Sequence, residues 1–283
     1  MARFALITDS TSDLPPAIAR ERQIHVAPLY IIWGQDSLRD GIDITPEQFY
    51  RRLAIDPVLP TTSQPTPADF AQLYRKIHAE DNNIEGVLVT TISADLSGTY
   101  ASAIQARDMV DFPVEVVDLR SVTLGTAMPL LQVADARDQG ASLQEAAALA
   151  RSLANRTHIY FTLDTLEYLH KGGRIGGAKR LIGTAFNIKP VLQIANGRVE
   201  AKESIRTRKR ALSRLVELFE ETVDPTKTLY VGLLHGQAPA DADWLEAEIT
   251  ARWQPAQLIK AQVGAVIGVH TGPGAVGFAL LQR

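Results

Sequence analysis

Polar side chains in this sequence gather in four short segments: Thr8 to Asp13, Thr61-Thr62-Ser63-Gln64-Pro65, Ser93 to Thr99, and Val269-His270-Thr271-Gly272-Pro273-Gly274. Together they supply hydroxyls, loop amides and one imidazole, groups that donate hydrogen bonds to a small anion such as a carboxylate. They supply no nucleophile with a partnered base, so acyl or hydride transfer fits them less well. A lone hydroxyl in such a segment is more often a helix cap or a turn former. The usual catalytic signatures are missing: there is no Gly-x-Ser-x-Gly elbow, no Walker phosphate loop and no His-Glu-x-x-His pair. Without cysteine, disulfides, thiolate nucleophiles and thiolate metal sites are excluded. His25, His78, His158, His170, His235 and His270 are dispersed along the chain, so no metal site is expected. Gly272-Pro273-Gly274-Ala275-Val276-Gly277 matches a dinucleotide fingerprint in letters only. That motif must follow a strand, open a helix and precede an acidic residue, so these glycines are expected to serve a tight turn or a close approach to a ligand.

Alternating strands and helices must position these segments. Phe4 to Thr8 is a short apolar run, then the polar stretch to Asp13, then Pro15 and a helical pattern: strand, loop, helix. Gly86 to Ile92 repeats that order, leading through Ser93 and Ser97-Gly98 into a helix near Tyr100 to Asp108, with another strand at Val114 to Val117. Three of the four polar segments therefore follow or adjoin apolar strands, where α/β sheets bind ligands. Helix starts are legible at Thr45-Pro46, Thr66-Pro67 and Ser142, each a capping residue, two of them followed by proline. Asp13 reads in the same way, as the cap of the helix that Pro15 and Pro16 open.

Beyond the polar stretch Asn155-Arg156-Thr157-His158 a second unit is expected: a strand at Ile159 to Leu163, a short helix from Asp164 to His170 capped by Lys171-Gly172-Gly173, and two strands joined by Asn196-Gly197. That dipeptide is the strongest short hairpin signal. A helix from Arg206 to Glu221, a strand at Leu229 to Leu234, a helix through Trp244 and strands near Gln257 and Val276 follow. The expected fold is thus two α/β domains, residues 1–156 with a mostly parallel sheet flanked by helices and residues 157–283 with a mixed sheet, and a ligand site at or near their interface. A length of 283 residues, with 46% hydrophobic and 22% charged residues, suits two domains with substantial cores. A net charge of −3 provides no general field for nucleic acid. No signal-peptide pattern and no apolar stretch of membrane-spanning length is evident, so a soluble, cytoplasmic protein is expected.

Six strings, in order along nearly the whole chain, resemble the DegV family: Thr-Asp-Ser-Thr-Ser-Asp-Leu from Thr8, Thr-Ser-Gln-Pro from Thr62, Leu-Ser-Gly-Thr-Tyr from Leu96, Asp-Thr-Leu-Glu-Tyr-Leu from Asp164, Gly-Gly-Arg-Ile from Gly172 and Ile-Gly-Val-His-Thr-Gly-Pro-Gly from Ile267. The resemblance implies a two-domain α/β protein, not itself an enzyme, that encloses one long-chain fatty acid and needs no other cofactor. It implies a partner too: the ATP-binding subunit of a fatty acid kinase, which would phosphorylate the bound carboxylate to an acyl phosphate. By position it implies that Thr62, Ser93 and His270 hold the carboxylate, while Arg174 and Arg206 lie near it or face the kinase. Asp118-Leu119-Arg120-Ser121 departs from the Asp-Ser start expected of the family at that loop, which weakens any role carried over to residues 119 and 120.

The rival reading is a stand-alone hydrolase or phosphotransferase using Asp9, Asp13 and the Gly172–Gly177 loop. One further feature breaks a local rule. Arg206, Arg208, Lys209 and Arg210 put positive charge at the positive end of their helix dipole, locally unfavourable by a few tenths of a kcal/mol each. With Lys171, Arg174 and Lys179 they are expected to receive an anionic partner or a phosphoryl group.

Overall fold

The computed structural model describes residues 3–81, 83–182 and 188–283. Strands β1 (Arg3–Asp9), β2 (Ile24–Ala27), β6 (Ile84–Thr91) and β7 (Val114–Asp118) form a four-stranded parallel sheet in the order β2-β1-β6-β7. Its two central strands are buried almost end to end, as continuous apolar runs covered on both faces must be. Helices α3 (Pro67–Glu80) and α4 (Thr99–Arg107) cover one face, with Phe70, Tyr74 and Ile77 packed beside Ala103 and Ala106. Helices α1 (Pro16–Glu21), α5 (Leu124–Asp138) and α6 (Leu143–Ala154) cover the other.

The second large sheet has six strands in the order β10-β9-β8-β13-β11-β12. These are β8 (Thr157–Thr162), β9 (Lys189–Ala195), β10 (Arg198–Ile205), β11 (Leu229–His235), β12 (Gln257–Gln262) and β13 (Val276–Gln282), antiparallel except for the β11–β12 pair. Asn196 and Gly197 both have positive φ in the β9–β10 turn, the geometry that Asn-Gly favours. Leu215 and Phe219 of α8 (Arg208–Thr222) and Leu245 and Ile249 of α9 (Pro239–Thr250) pack on Val231, Leu233 and Phe278. Helix α5 lies between the two sheets, touching β6 on one side and β8, β11 and β13 on the other. All its residues from Leu124 to Ala134 are buried. Over that span it is buried all round, with Thr126 and Gln132 its only polar side chains, and it lacks the one-sided stripe by which a surface helix is recognised.

A third sheet was not expected. Strands β3 (Tyr30–Trp33), β4 (Asp36–Arg39) and β5 (Thr61–Ser63) form a small antiparallel sheet in the order β4-β3-β5. Against it pack α2 (Pro46–Leu53) and α10 (Ala265–Thr271), in a core of Leu29, Ile31, Trp33, Phe49, Tyr50, Val266 and Val269. Two of the polar segments taken for loops are thus regular: Thr62 is on a strand and His270 is on a helix. Helix α7 (Glu167–Lys171) ends at Gly172, as its glycine pair suggested. The capping roles of Thr45, Thr66 and Ser142 are realised in full capping boxes. Asp13 is not a cap of α1: Pro15 stands at that position without a side-chain bond, and Asp13 ends the short turn Ser10–Ser12 with φ 50°. Helix α8 begins at Arg208 with Thr207 as its cap, so Arg206 precedes it.

Candidate functional site

The structure brings Thr62, His270 and Arg174 together between the small sheet and the six-stranded sheet. Thr62 is held on β5 by pairing with Ile31 of β3, and its Oγ1 lies 2.9 Å from Nε2 of His270. The other ring nitrogen, Nδ1, is buried without a partner against Gly172, where a Cβ would have no room. Burial, and then the positive charge of Arg174, push His270 down to about 4, so its imidazole is neutral at neutral pH. Placing the single proton on Nε2 leaves only a lone pair facing Gly172, a lesser loss than an orphaned N–H. Nε2–H then donates to Thr62, whose own hydroxyl hydrogen is free for an anion. Arg174 is fixed by its backbone partners, Nε donating to Leu96 O (3.1 Å) and Nη1 to Gly172 O (2.9 Å). The free Thr62 hydroxyl hydrogen and the Arg174 guanidinium can donate to the oxygens of a single carboxylate, while the neutral imidazole fixes the orientation of the Thr62 hydroxyl.

These three residues form a wall between two spaces. Inward lies an apolar cavity of about 70 Å³ with Leu29, Ile92, Val122, Phe161, Leu169 and Ile194 among its lining. It draws on both halves of the chain, and with so little free volume it can seat a long chain only by parting its lining side chains. Outward lies a cleft of about 300 Å³ that adds Leu53, Leu59, Tyr168 and Lys171. A larger depression, about 930 Å³, lies at the N-terminal ends of the parallel strands between Phe4, Ile24 and Ile84. Its charges are mixed, Arg20, His25 and Arg137 facing Glu80 and Asp138, and it shares no residue with the Thr62–His270 site.

Ser93 stands apart from the other two expected carboxylate ligands. It is fully buried, its Oγ donates to Gly197 O at 2.7 Å, and it lines neither space. Its hydroxyl ties the loop after β6 to the β9–β10 turn, alongside Arg120 Nη2 donating to Asn196 O (2.7 Å) and Arg198 paired with Asp95 (2.6 Å). Besides Thr62, His270 and Arg174, the polar residues that line the cavity are Ser63, Gln64, Ser97 and Thr271. Gln64 and Ser97 belong to the strings Thr-Ser-Gln-Pro and Leu-Ser-Gly-Thr-Tyr, so the signal was present but attached to a neighbour. Arg206 is exposed, lines neither space and has no side-chain partner among the described residues. The basic cluster is partly neutralised: Arg208 pairs with Asp241 (2.7 Å), Lys171 with Glu167 (2.6 Å), and Arg210 with Glu217.

The rival grouping does not assemble as a site. Asp9 Oδ1 accepts from the Thr11 amide (3.0 Å) and hydroxyl, and its Oδ2 from Ile92 N (2.8 Å). Asp13 Oδ1 accepts from Gly264 N at 2.8 Å. The glycine-rich loop packs elsewhere, Gly172 on His270, Gly176 on Val199 and Gly177 on Glu200. Among the described residues no group of acidic and histidine side chains is arranged to hold a metal ion, and no helix is long and apolar enough to cross a membrane.

A family model described as "uncharacterised protein, DegV family" matches residues 3–283. A DegV domain-containing protein of Streptomyces coelicolor is 36% identical over 281 residues, covering 99% of this chain and 98% of that one. A solved structure from Thermus thermophilus, described as fatty acid binding of a DegV family protein, superposes with a TM-score of 0.93 at 36% identity over 99% of this chain and 100% of that one. DegV of Bacillus subtilis, described as a fatty acid binding protein, superposes with a TM-score of 0.91 at 29% identity over the whole of both chains.

Proposed function

Since the chain belongs to the DegV family, we propose that it binds one long-chain fatty acid, the carboxylate at Thr62, His270 and Arg174 and the tail in the apolar cavity behind them. The observation that carries this reading is the Thr62–His270 pair, 2.9 Å apart, set with Arg174 at the wall of a space whose remaining lining is mostly aliphatic side chains and Phe161. The solved relatives from Thermus thermophilus and Bacillus subtilis, described as fatty acid binders, support it. Ser93 serves indirectly, by holding the β9–β10 turn whose flanking residues Ile194 and Val199 line the cavity. The chain presents the bound acid through the outer cleft to a separate kinase subunit, which supplies ATP and forms the acyl phosphate; Arg174 and Arg206 face that partner. The protein is a cytoplasmic carrier rather than an enzyme, with its two α/β domains meeting near residue 156.

Energetics favour a carrier. Burying about fourteen methylenes yields roughly 11 kcal/mol gross, less several for association, while each hydrogen bond to the charged head adds about 1.5–3 kcal/mol. The tail dominates affinity and the head sets orientation. Mass spectrometry of denatured protein purified from a bacterial host tests the reading. One fatty acid per chain is expected; extracts repeatedly free of lipid refute it.

A further inference from the structure

The motif Thr8 to Asp13 is unexplained by the lipid site, since neither Asp9 nor Asp13 lines it. Its last residue contacts the helix that carries His270. Gly264 N, at the start of α10, donates to Asp13 Oδ1 at 2.8 Å, and Ala265 N donates to Asp40 Oδ1 at 3.1 Å. Asp40 also takes bonds from the Val266 amide and the Ser10 hydroxyl. The opening amides of α10 are therefore gripped by two carboxylates that lie 251 and 225 residues away in sequence. Gly264 permits this approach, because a Cβ there would stand 2.8 Å from Asp13 Oδ1 and 3.5 Å from both Asp40 oxygens.

The arrangement is costly for ordinary capping. Asp9, Asp13 and Asp40 are all buried and each is pushed up chiefly by desolvation, Asp13 and Asp40 further by neighbouring carboxylates. A neutral Ser, Thr or Asn would satisfy the same amides without that penalty. What the carboxylates add is a rigid link. Asp40 directly follows β4, which shares a three-stranded sheet with Thr62 on β5. Helix α10 has only seven residues and cannot hold itself in place. Its far end places the His270 ring between Gly172 and Thr62.

We infer that Asp13 and Asp40 are positioning residues that set His270 opposite Thr62 by holding the first turn of α10. The inference rests on the Thr62–His270 pair being the carboxylate site.

The test uses full-length protein with ¹⁵N-labelled histidine, loaded with palmitate carrying ¹³C at the carboxyl carbon. Asp13→Ala and Asp40→Ala each shift the His270 ring resonances and the bound carboxyl resonance toward those of Thr62→Val, with lipid per chain unchanged. Asp13→Asn and Asp40→Asn, which keep an acceptor oxygen, move them less than half as far. Gly264→Ala, which crowds the carboxylates without removing charge, shifts His270 as the alanine variants do, and it decides the matter if those fail to fold. Leu245→Ala, a truncation in the distant core of α9, leaves the His270 resonances in place at a comparable loss of stability. Wild-type resonances in a folded alanine variant or in Gly264→Ala overturn the inference, as does an equal shift in Leu245→Ala. If wild-type protein takes up no palmitate, the lipid reading fails, while the His270 resonances still decide whether the two carboxylates position that ring.

Discussion

Replacing Thr62 by valine keeps the shape of the side chain and removes only its hydroxyl, so the change isolates the head of the site. In the protein alone it strips the part-buried His270 Nε2 of its 2.9 Å partner, beside an Nδ1 already buried without one. A buried orphan of that kind costs about 1–3 kcal/mol, and the urea midpoint should fall accordingly. In the complex it removes one hydrogen bond to a charged acceptor, about 1.5–3 kcal/mol, or roughly 10- to 150-fold in affinity. The tail contribution is untouched, so purified Thr62→Val still carries lipid. The informative assay is displacement of a fluorescent fatty acid by palmitate and by hexadecanol, which share the tail and differ in the head. Wild-type protein prefers the acid, and Thr62→Val loses at least tenfold of that preference. An unchanged acid-to-alcohol ratio would refute the placement of the carboxylate at Thr62.

Ser93→Ala should leave Gly197 O without its buried donor and lower stability by about 1–3 kcal/mol, with little change in the acid-to-alcohol ratio; a ratio that collapses as in Thr62→Val would restore Ser93 as a direct ligand. Asp40, pushed up from 3.8 to about 6, contributes stability that is fully present below 3.8 and is lost as pH rises through 6. Asp40→Asn lacks that dependence, so its stability relative to wild type should rise by about 2 kcal/mol between pH 4 and pH 7.5; a difference flat across urea titrations at those pH values contradicts it. His270 is displaced the other way, from 6.5 to about 4, so its contribution is present above 6.5 and lost as pH falls through 4. His270→Gln should therefore flatten the acid limb of the stability profile, and an unaltered limb counts against the burial of a neutral imidazole. If the chain serves the proposed kinase subunit, Arg174→Ala and Arg206→Ala should retain lipid while lowering acyl phosphate formation with it, the loss growing as salt screens what attraction remains. Activity equal to wild type across ionic strengths would make both arginines solvated surface.

Local rules carried much of this fold. Continuous apolar runs at Phe4 to Thr8 and Gly86 to Ile92, each followed by a helical pattern, read as buried parallel strands, and Asn196-Gly197 as a tight turn between two strands, because short-range backbone preferences favour these outcomes. Capping at Thr45, Thr66 and Ser142 is legible for the same reason: donor and acceptor are three residues apart. Helix α5 escaped because burial on every side erases the period that announces a helix, and the three-stranded sheet because strands of three or four residues are too short to show one. The site divides along the same line. Hydroxyls and an imidazole for an anion could be read from composition and order, but which of them meet could not. Thr62 and His270 are 208 residues apart and touch only because α10, from the far end of the chain, packs on a sheet from the near end. Ser93, equally marked in sequence, turned to Gly197 because a glycine in a positive-φ turn left room for its hydroxyl. Asp13 has the composition of a local cap yet bonds Gly264, since its left-handed backbone aims the carboxylate away from the next helix and toward α10. Such contacts are decided by how layers stack, and no spacing within the chain encodes them.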